Sequence, residues 1–596
     1  MASPPDPAPG GDRTASHRSG RGALIAAIAV TTVPLGIALI GVLVEHGFAL
    51  HGDGALIELR VRDVGAHTPL VGSYQRFGWN QPGPLRFYTL VAPYRILGST
   101  FAGLEVGALL VNAAAVAGVA IVAFRRGGMV LLLWALTLVA LLVHALGTQV
   151  SDPWEPRVIV LPCVLLLFLA FDVAAGGAWS LPIAAGVASF LAQAYAGVAP
   201  LALALFAFGF VGLLGNASRG PRAERDQLRA RLRAVVLATA GVVVVLWLPP
   251  LVDQLRGEPG NISEMWRFFR EPHDTLGLGD AYSAVALQSD HGAPWLTGDV
   301  PLLLGGAVDL DAAPLVPAAL LVLAAGLVIA VRRRDRSATV LALAVLLAAV
   351  VSVVALSRLV GDAFPWILGW TGVVGLGCWL AAGWAGYRAL SDPARAHVEG
   401  PLTVVLALAL VAISAVSAFN ASTRSYERDE FIAAMRALGD RAADVTRDGD
   451  GPVLVEVDPI PLGGGDVGPE LLVLALERAG VDTVVDDDLA NRFGDHRAHP
   501  NQAATEVRVF AGDADVVPAG YEVVVTVDPL TRSERARRDR LVAELRERGL
   551  DGSLAELQTA VEAEPDVRRL VDALGEIEDL PRLTLATRDP ADRTTA

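Results

Sequence analysis

The chain has 596 residues, 53% of them apolar and 19% charged, with a mean hydropathy of +0.48. That is too apolar for a string of ordinary soluble domains and marks a polytopic membrane protein. The net charge of −15 conceals a split: residues 421–596 hold 37 acidic and 21 basic side chains and residues 1–420 hold 26 and 27, so a membrane body precedes an acidic, water-facing tail.

In chain order, residues 1–20, with Pro4, Pro5, Pro7 and Pro9, read as a disordered cytoplasmic leader. Arg18 and Arg21 precede an apolar run at 23–45 that is too long for a signal-peptide core and lacks a cleavage pattern, so it is expected to stay as an anchor. Further runs lie near 101–124, 129–149, 158–175, 179–197, 199–215, 234–250, 312–331, 338–356, 366–388 and 401–419. Each approaches the roughly 20 residues that cross a hydrocarbon core. The expectation is an α-helical body over residues 21–420 with about eleven transmembrane helices. Arginine placement tests this count, because basic residues are retained in cytoplasmic connections. Arg125 and Arg126, six arginines from Arg219 to Arg233, Arg332 to Arg336, and Arg388 with Arg395 all fall on the leader's side. The reading is a multi-pass plasma-membrane protein with a cytoplasmic N-terminus. Loops 46–100, 150–157, 251–311 and 357–365 and the tail then lie outside. Cys163 and Cys378 sit inside apolar runs, without disulfide, zinc or iron–sulfur spacing.

The tail, 421–596, reads as an extracytoplasmic soluble α/β domain. Val453–Val457, Thr483–Val485, Glu506–Phe510 and Tyr521–Val527 have strand character, and 468–479, 531–548 and 553–574 helical character. The run Gly463, Gly464, Gly465 lacks dinucleotide or P-loop spacing and reads as a turn.

Loop 46–100 concentrates polar chemistry: Asp53, Glu58 and Asp63 with Arg60, Arg62, Arg76 and Arg86, among prolines and the aromatic residues Tyr74, Phe77, Trp79, Phe87 and Tyr88. A carboxylate can take the proton of an attacking hydroxyl, and arginines can hold a phosphate. The plainer alternatives are a capping carboxylate at Asp53 and a Glu58–Arg62 pair one helical turn apart. A second cluster, Asp152, Trp154, Glu155 and Arg157, can supply another acid or form a proline-shaped turn. Arg358 can meet a lipid phosphate or pair with Asp362. Trp79 and Tyr88 can stack on a sugar or anchor at the interface, and Gln254 and Asn261 can contact acceptor hydroxyls.

The stretches His51-Gly52-Asp53-Gly54-Ala55-Leu56-Ile57-Glu58-Leu59-Arg60 and Phe77-Gly78-Trp79-Asn80-Gln81-Pro82-Gly83-Pro84-Leu85-Arg86-Phe87-Tyr88 resemble polytopic glycosyltransferases of the GT-C class. The likeness is to the RgtA/B/C/D-like actinobacterial membrane family and, more distantly, to arabinofuranosyl and mannosyl transferases that use polyprenyl-phosphate sugars. It covers residues 20–420 in architecture, with its specific motifs mainly in the first loop. The resemblance implies inverting transfer of a glycosyl unit from a polyprenyl-phosphate-linked sugar to a cell-envelope glycan or lipid acceptor. Asp53 matches the class carboxylate after the first helix, with Glu58, Asp63, Asp152 and Glu155 as further acids. Arg60, Arg62, Arg157 and Arg358 are the donor-phosphate candidates, and Trp79, Asn80, Gln81, Tyr88, Gln254 and Asn261 the sugar or acceptor contacts. Relatives often carry a histidine where Gln81 stands, and glutamine can orient a hydroxyl but cannot titrate. No residue set has decisive metal-ligand spacing, although grouped carboxylates can bind a divalent cation. Membrane lipids are expected partners; nucleic acid is not. The alternatives are a lipid or glycan transporter, which predicts a cavity continuous to the cytoplasmic side, and an envelope-assembly scaffold.

Overall fold

Backbone that crosses lipid has to satisfy its own hydrogen bonds, and in the computed structural model the apolar runs do so as helices. The structure describes residues 12–44, 52–218, 225–303, 306–423, 429–447, 449, 451–458, 460–462, 465–550, 552, 554, 557, 565–575 and 580–589. Residues 1–11 of the expected leader, His51, Gly463 and Gly464 lie outside them. Residues 12–20 are instead the first turns of α1 (Asp12–Val44), since extending an existing helix gains a hydrogen bond for each residue fixed.

Helices α2 (Gly52–Arg62) and α3 (Leu85–Ile96) occupy the first long connection. Then come α4 (Phe101–Leu146), the single turn α5 (Glu155–Val158), α6 (Val160–Ala174), α7 (Ser180–Ala194), α8 (Ala199–Ser218) and α9 (Arg225–Arg256). The second long connection holds α10 (Asn261–Arg270), α11 (Gly277–Leu287) and the single turn α12 (Pro294–Thr297). The body closes with α13 (Ala318–Arg332), α14 (Arg336–Leu356), the single turn α15 (Pro365–Leu368), α16 (Gly372–Ala389) and α17 (Asp392–Ser422).

Among the described residues, eight helical stretches are long and apolar enough to cross a membrane, so this is a multi-pass membrane protein. The eleven apolar runs fall on these helices and on the shorter α7 and α13, two of the runs sharing α4. At 1.5 Å per residue α4 would span about 69 Å, over twice a hydrocarbon core. It is broken at Gly128, whose φ of 62° and ψ of −150° leave the helical region. Helix α6 is buried along its whole length at the centre of the bundle, which suits its apolar character on all faces.

Helix ends followed by arginines gather on one side. Arg126 pairs with the Asp172 carboxylate and donates to the carbonyls of Asp172 at 2.7 Å and Ala175 at 3.0 Å, satisfying the open C-terminal end of α6. Asn216, near the end of α8, donates to the Ala174 carbonyl at 2.7 Å. Asp335 caps α14 through Ala338 N at 2.9 Å and pairs with Arg388 at 2.7 Å. Gly127 lies against Trp384, joining the two groups.

The tail forms a mixed-sheet soluble domain. After α18 (Asp429–Thr446) come β1 (Val453–Val457), the hairpin β2 (Ile460–Leu462) and β3 (Gly465–Val467), α19 (Glu470–Arg478), β4 (Thr483–Val484) and the single turn α20 (Ala490–Phe493). Then follow β5 (Thr505–Ala511), β6 (Glu522–Val527), α21 (Arg532–Glu547), a helix over Pro565–Gly575 and β7 (Leu583–Arg588). The sheet order is β4–β1–β5–β7–β6. The first three strands are parallel, with Val455 opposite Val507, and β7 runs antiparallel to both its neighbours. The four expected strands are present within two residues; α18, the β2–β3 hairpin and β7 are additional. Helix α21 begins at a capping box legible in Thr531-Arg532-Ser533-Glu534: Thr531 Oγ1 accepts from Glu534 N at 3.2 Å, and Glu534 Oε2 accepts from Thr531 N at 2.8 Å.

The first connection belongs by packing to this tail. One apolar core joins Leu59, Phe87 and Tyr94 of α2 and α3 to Leu472, Val485 and Phe493 of the C-terminal domain. Residues 52–100 and the tail therefore lie on the same side of the membrane body.

Candidate active site

A helix N-terminus favours a carboxylate, and Asp53 stands in the first turn of α2, exposed. It lines a cavity of about 300 Å³ where the first connection, the 151–157 turn, the 359–367 segment and the tail meet. One part of the wall is a hairpin held by hydrogen bonds from Gly72 N to Gln81 O at 2.9 Å, Gln81 N to Ser73 O at 2.7 Å and Gln75 N to Trp79 O at 2.9 Å. Gly72 has to be glycine, because a Cβ there would sit 2.6 Å from Gln81 Cβ. Gly78 turns the tip at φ 84°. The hairpin presents Ser73, Tyr74, Gln75, Arg76 and Phe77 to the cavity, and Trp154, Tyr195, Phe364 and Trp366 supply an aromatic wall.

Buried Arg86 ties the hairpin to the second cluster: it bonds Ser73, donates to Pro153 O at 2.8 Å and pairs with Glu155 at 3.1 Å. Burial pulls its guanidinium below the ordinary value, against the charges of Glu155, Asp53 and Asp152. Glu155 is itself buried and lines the cavity. Three guanidinium groups share the wall. Arg60 is bound to Asp63 at 3.2 Å and to Phe493 O at 3.4 Å, and burial lowers its value too. Arg492, from α20, pairs with buried Glu470 and lies 5.4 Å over the Tyr74 ring. Arg76 is exposed, stands over the Phe77 ring at 5.1 Å and pairs with no carboxylate among the described residues. Burial pushes the Glu470 carboxyl above its ordinary range, against the charge of Arg492.

Of the sequence candidates, the structure brings Asp53, Glu155 and Arg60 to the cavity wall. The others lie outside it, most of them bound to neighbouring groups. Glu58 is fully buried, bound by Arg478 Nε at 2.8 Å and by Tyr94 Oη at 3.0 Å. Asp63 is gripped by Arg497 at 2.8 and 3.0 Å and lies 3.4 Å from His496. Burial opposes the ionisation of Asp63, but the hydrogen bonds from His496 and Arg497 and the charges of Arg497 and Arg60 outweigh it and hold the carboxyl below its usual range. Arg62 donates to Glu477 O at 3.2 Å. In place of the alternative Glu58–Arg62 pair, both side chains take partners from the tail.

Asp152 accepts from Trp154 N at 2.9 Å, closing the turn. Arg157 is half-buried and feels the Asp152 charge, and Arg358 is exposed at the end of α14. Trp79 packs on Phe268 and Phe269, both at 5.8 Å, and Tyr88 donates to Pro69 O at 2.7 Å. Gln81 Oε1 accepts from Ala196 N at 2.7 Å. The Asn261 amide clips the Asn80 backbone at 2.7 and 2.9 Å, and Gln254 holds Ser263 at 2.7 and 3.0 Å. These last three anchor the hairpin and α10. Arg76 and Tyr74 were visible in the loop's composition but carried no role; Asn491 and Arg492, far along the chain, gave no signal. Among the described residues, no group of three or more His, Cys, Asp or Glu is placed to hold a metal ion.

No protein-family model matches the sequence, and no curated protein matches it. Among solved structures, the chain is similar to ArnT from Cupriavidus metallidurans bound to undecaprenyl phosphate, at 14% identity and a TM-score of 0.50, over 85% of this chain and 96% of that one. It is also similar to the archaeal oligosaccharyltransferase AglB from Archaeoglobus fulgidus in complex with an inhibitory peptide and a dolichol-phosphate, at 10% identity and a TM-score of 0.45, over 96% and 89% of the two chains. At such identities the likeness is one of fold and does not single out the RgtA/B/C/D-like group. The chain has the fold of a GT-C-type membrane glycosyltransferase.

Proposed function

We propose that the protein transfers a glycosyl unit from a polyprenyl-phosphate-linked sugar to a cell-envelope glycan or lipid acceptor, on the membrane face opposite the arginine-rich connections. The observation that carries this reading is the exposed Asp53 carboxylate on the same cavity wall as the exposed Arg76 guanidinium, which pairs with no carboxylate among the described residues. The fold likeness to ArnT, whose crystal structure holds undecaprenyl phosphate, supports the donor class.

In the proposed step Asp53 accepts the proton of the acceptor hydroxyl as its oxygen bonds to the anomeric carbon. The bond from that carbon to the phosphate oxygen breaks, and its electron pair leaves with the phosphate. A single displacement inverts the anomeric centre. Arg76 donates to the departing phosphate, where a charge-assisted fork is strongest. The Arg86–Glu155 pair holds the hairpin that carries Arg76, and the aromatic wall takes the sugar ring and the first part of the lipid. Glu58 and Asp63 act as supports of α2 in this reading, and Gln81, Asn80, Asn261 and Gln254 as supports of the hairpin.

Eleven crossings are consistent with parity. Loop 52–100 and the tail share a core, so an even number of crossings separates them. Dividing α4 at Gly128 and counting both α7 and α13 yields ten after α1, an even number, whereas the seven long helices with α4 undivided yield an odd one. With the arginine-flanked helix ends in the cytoplasm, the cavity faces outward.

The test is lipid-linked sugar profiling in membranes with and without the protein, followed by transfer with purified protein. Accumulation of one polyprenyl-phosphate sugar on deletion, and its consumption by the purified chain, is the expected result. An unchanged lipid-linked pool together with an inert purified chain rejects the reading.

A further inference from the structure

The tail contributes more than a packing surface to the cavity. Asn491 and Arg492 lie on its wall, although in sequence the whole membrane body stands between the hairpin and the tail. The Arg492 side chain is 25% exposed. One of its terminal nitrogens meets Glu470, whose side chain is fully buried, and its guanidinium covers the Tyr74 ring. Glu470 in turn packs against Gly52, where an added Cβ would lie 3.3 Å from Oε2, directly before Asp53 in the chain. Arg492 therefore bridges the two parts of the wall that the transfer reading uses, the start of α2 and the hairpin.

The contact with Glu470 does not exhaust this side chain. A guanidinium carries five N–H donors in a planar fork, and Arg492 Nε has no hydrogen-bond partner among the described residues. A buried carboxylate behind and an aromatic face beside it fix the orientation of the group, so little side-chain freedom is lost when an anion arrives. Of the other cavity arginines, Arg60 is committed to Asp63 and a backbone carbonyl, which leaves Arg76 and Arg492 to meet a ligand.

Resting on the glycosyl-transfer reading, we propose that Arg492 is a substrate-binding residue of the chamber and holds a phosphate-type anionic group, so that the C-terminal domain completes the binding site. The anion is the phosphate of the polyprenyl carrier or an anionic group on the acceptor, and two measurements separate these sources.

The experiment uses the full-length protein in detergent with undecaprenyl monophosphate as the binding probe. It compares wild type with R492Q, R492K and R548Q, the last being an exposed arginine at the far end of α21. In parallel, half-saturating acceptor concentration and turnover are measured at saturating lipid-linked donor. R492Q is expected to weaken probe binding at least tenfold if the carrier phosphate is the ligand, or to raise half-saturating acceptor at least tenfold if the acceptor anion is. R492K should recover part of the loss, and R548Q should stay within twofold of wild type. Unchanged probe binding together with unchanged acceptor dependence in R492Q overturns the proposal. Should R492Q fail to fold, R492K decides alone: a loss of at least threefold in either arm supports the fork, and wild-type values in both overturn it. A wild-type protein that neither binds the probe nor transfers sugar removes the underlying reading and this inference with it, whereas failure confined to the variants removes the inference only.

Discussion

The two ends of helix α2 carry the same chemical group to opposite ends of its range. Asp53, in the first turn, is exposed on the cavity wall. Glu58, five residues later, and Asp63, just past the last residue of the helix, are buried and bound by Arg478, Arg497 and Tyr94. The first end keeps a carboxylate in contact with an open chamber. The second spends its carboxylates in locking the helix to the tail. A buried ion pair adds little over an apolar contact, but losing one partner leaves an uncompensated charge, so this lock holds the orientation of α2 and with it Asp53. Position along the helix, rather than residue type, separates chemistry from support.

The largest expected effect breaks the open end. Asp53→Asn should lower transfer by about 10²- to 10⁴-fold while leaving thermal unfolding of the detergent-solubilised protein unchanged; product formation at the wild-type rate would end the assignment. At the locked end, Arg497→Gln removes the guanidinium shared by Asp63 and Glu477 and should cost about 3 kcal/mol. Denaturant unfolding and protease sensitivity of the tail measure this, and a neutral result would mean that the lock is ornamental.

Arg76→Gln sharpens the contrast from the cavity side. Losing a charge-assisted phosphate contact worth about 1.5–3 kcal/mol should raise half-saturating donor roughly 10- to 100-fold with stability unaltered, as steady-state kinetics would reveal.

Acid separates the two ends as well. The Asp63 carboxyl is held below its unfolded value, so its contribution is complete above the ordinary carboxylate range near pH 4 and is lost as pH falls through the lower folded value. Asp63→Asn should be less stable at neutral pH and should lose less on acidification; parallel unfolding curves for the two proteins would contradict this. The smallest effect is expected from Tyr94→Phe, which removes one donor to Glu58 but leaves Arg478 in place. A destabilisation of about 1 kcal/mol by denaturant titration, with transfer rates preserved, is the expected outcome.

The membrane body was legible because lipid imposes a length and an apolar composition on every crossing and charge marks the connections. The four strand cores and the helical stretch at 531–548 were equally local signals. Asp53 stood out through its place just after the first apolar run and the class motif around it. The break that divides α4 at Gly128 was legible too, because Arg125, Arg126, Gly127 and Gly128 separate the apolar runs 101–124 and 129–149. Two features had no such signal. The partners of Glu58 and Asp63 lie in the tail, where Arg478 and Arg497 look like any other surface arginines. Arg492 reaches the cavity through the docking of α20, a single turn with no periodicity to read.

Composition and hydrophobic spacing by themselves determined that the chain is a helical membrane body followed by a sheet-bearing domain, because burial in lipid or in a core acts on each segment separately. Which carboxylate stays open and which is locked, and which arginine retains unclaimed donors, was decided only when the first connection and the tail folded onto each other. Electrostatic roles depend on distance and desolvation between groups hundreds of residues apart, and those quantities exist only in three dimensions.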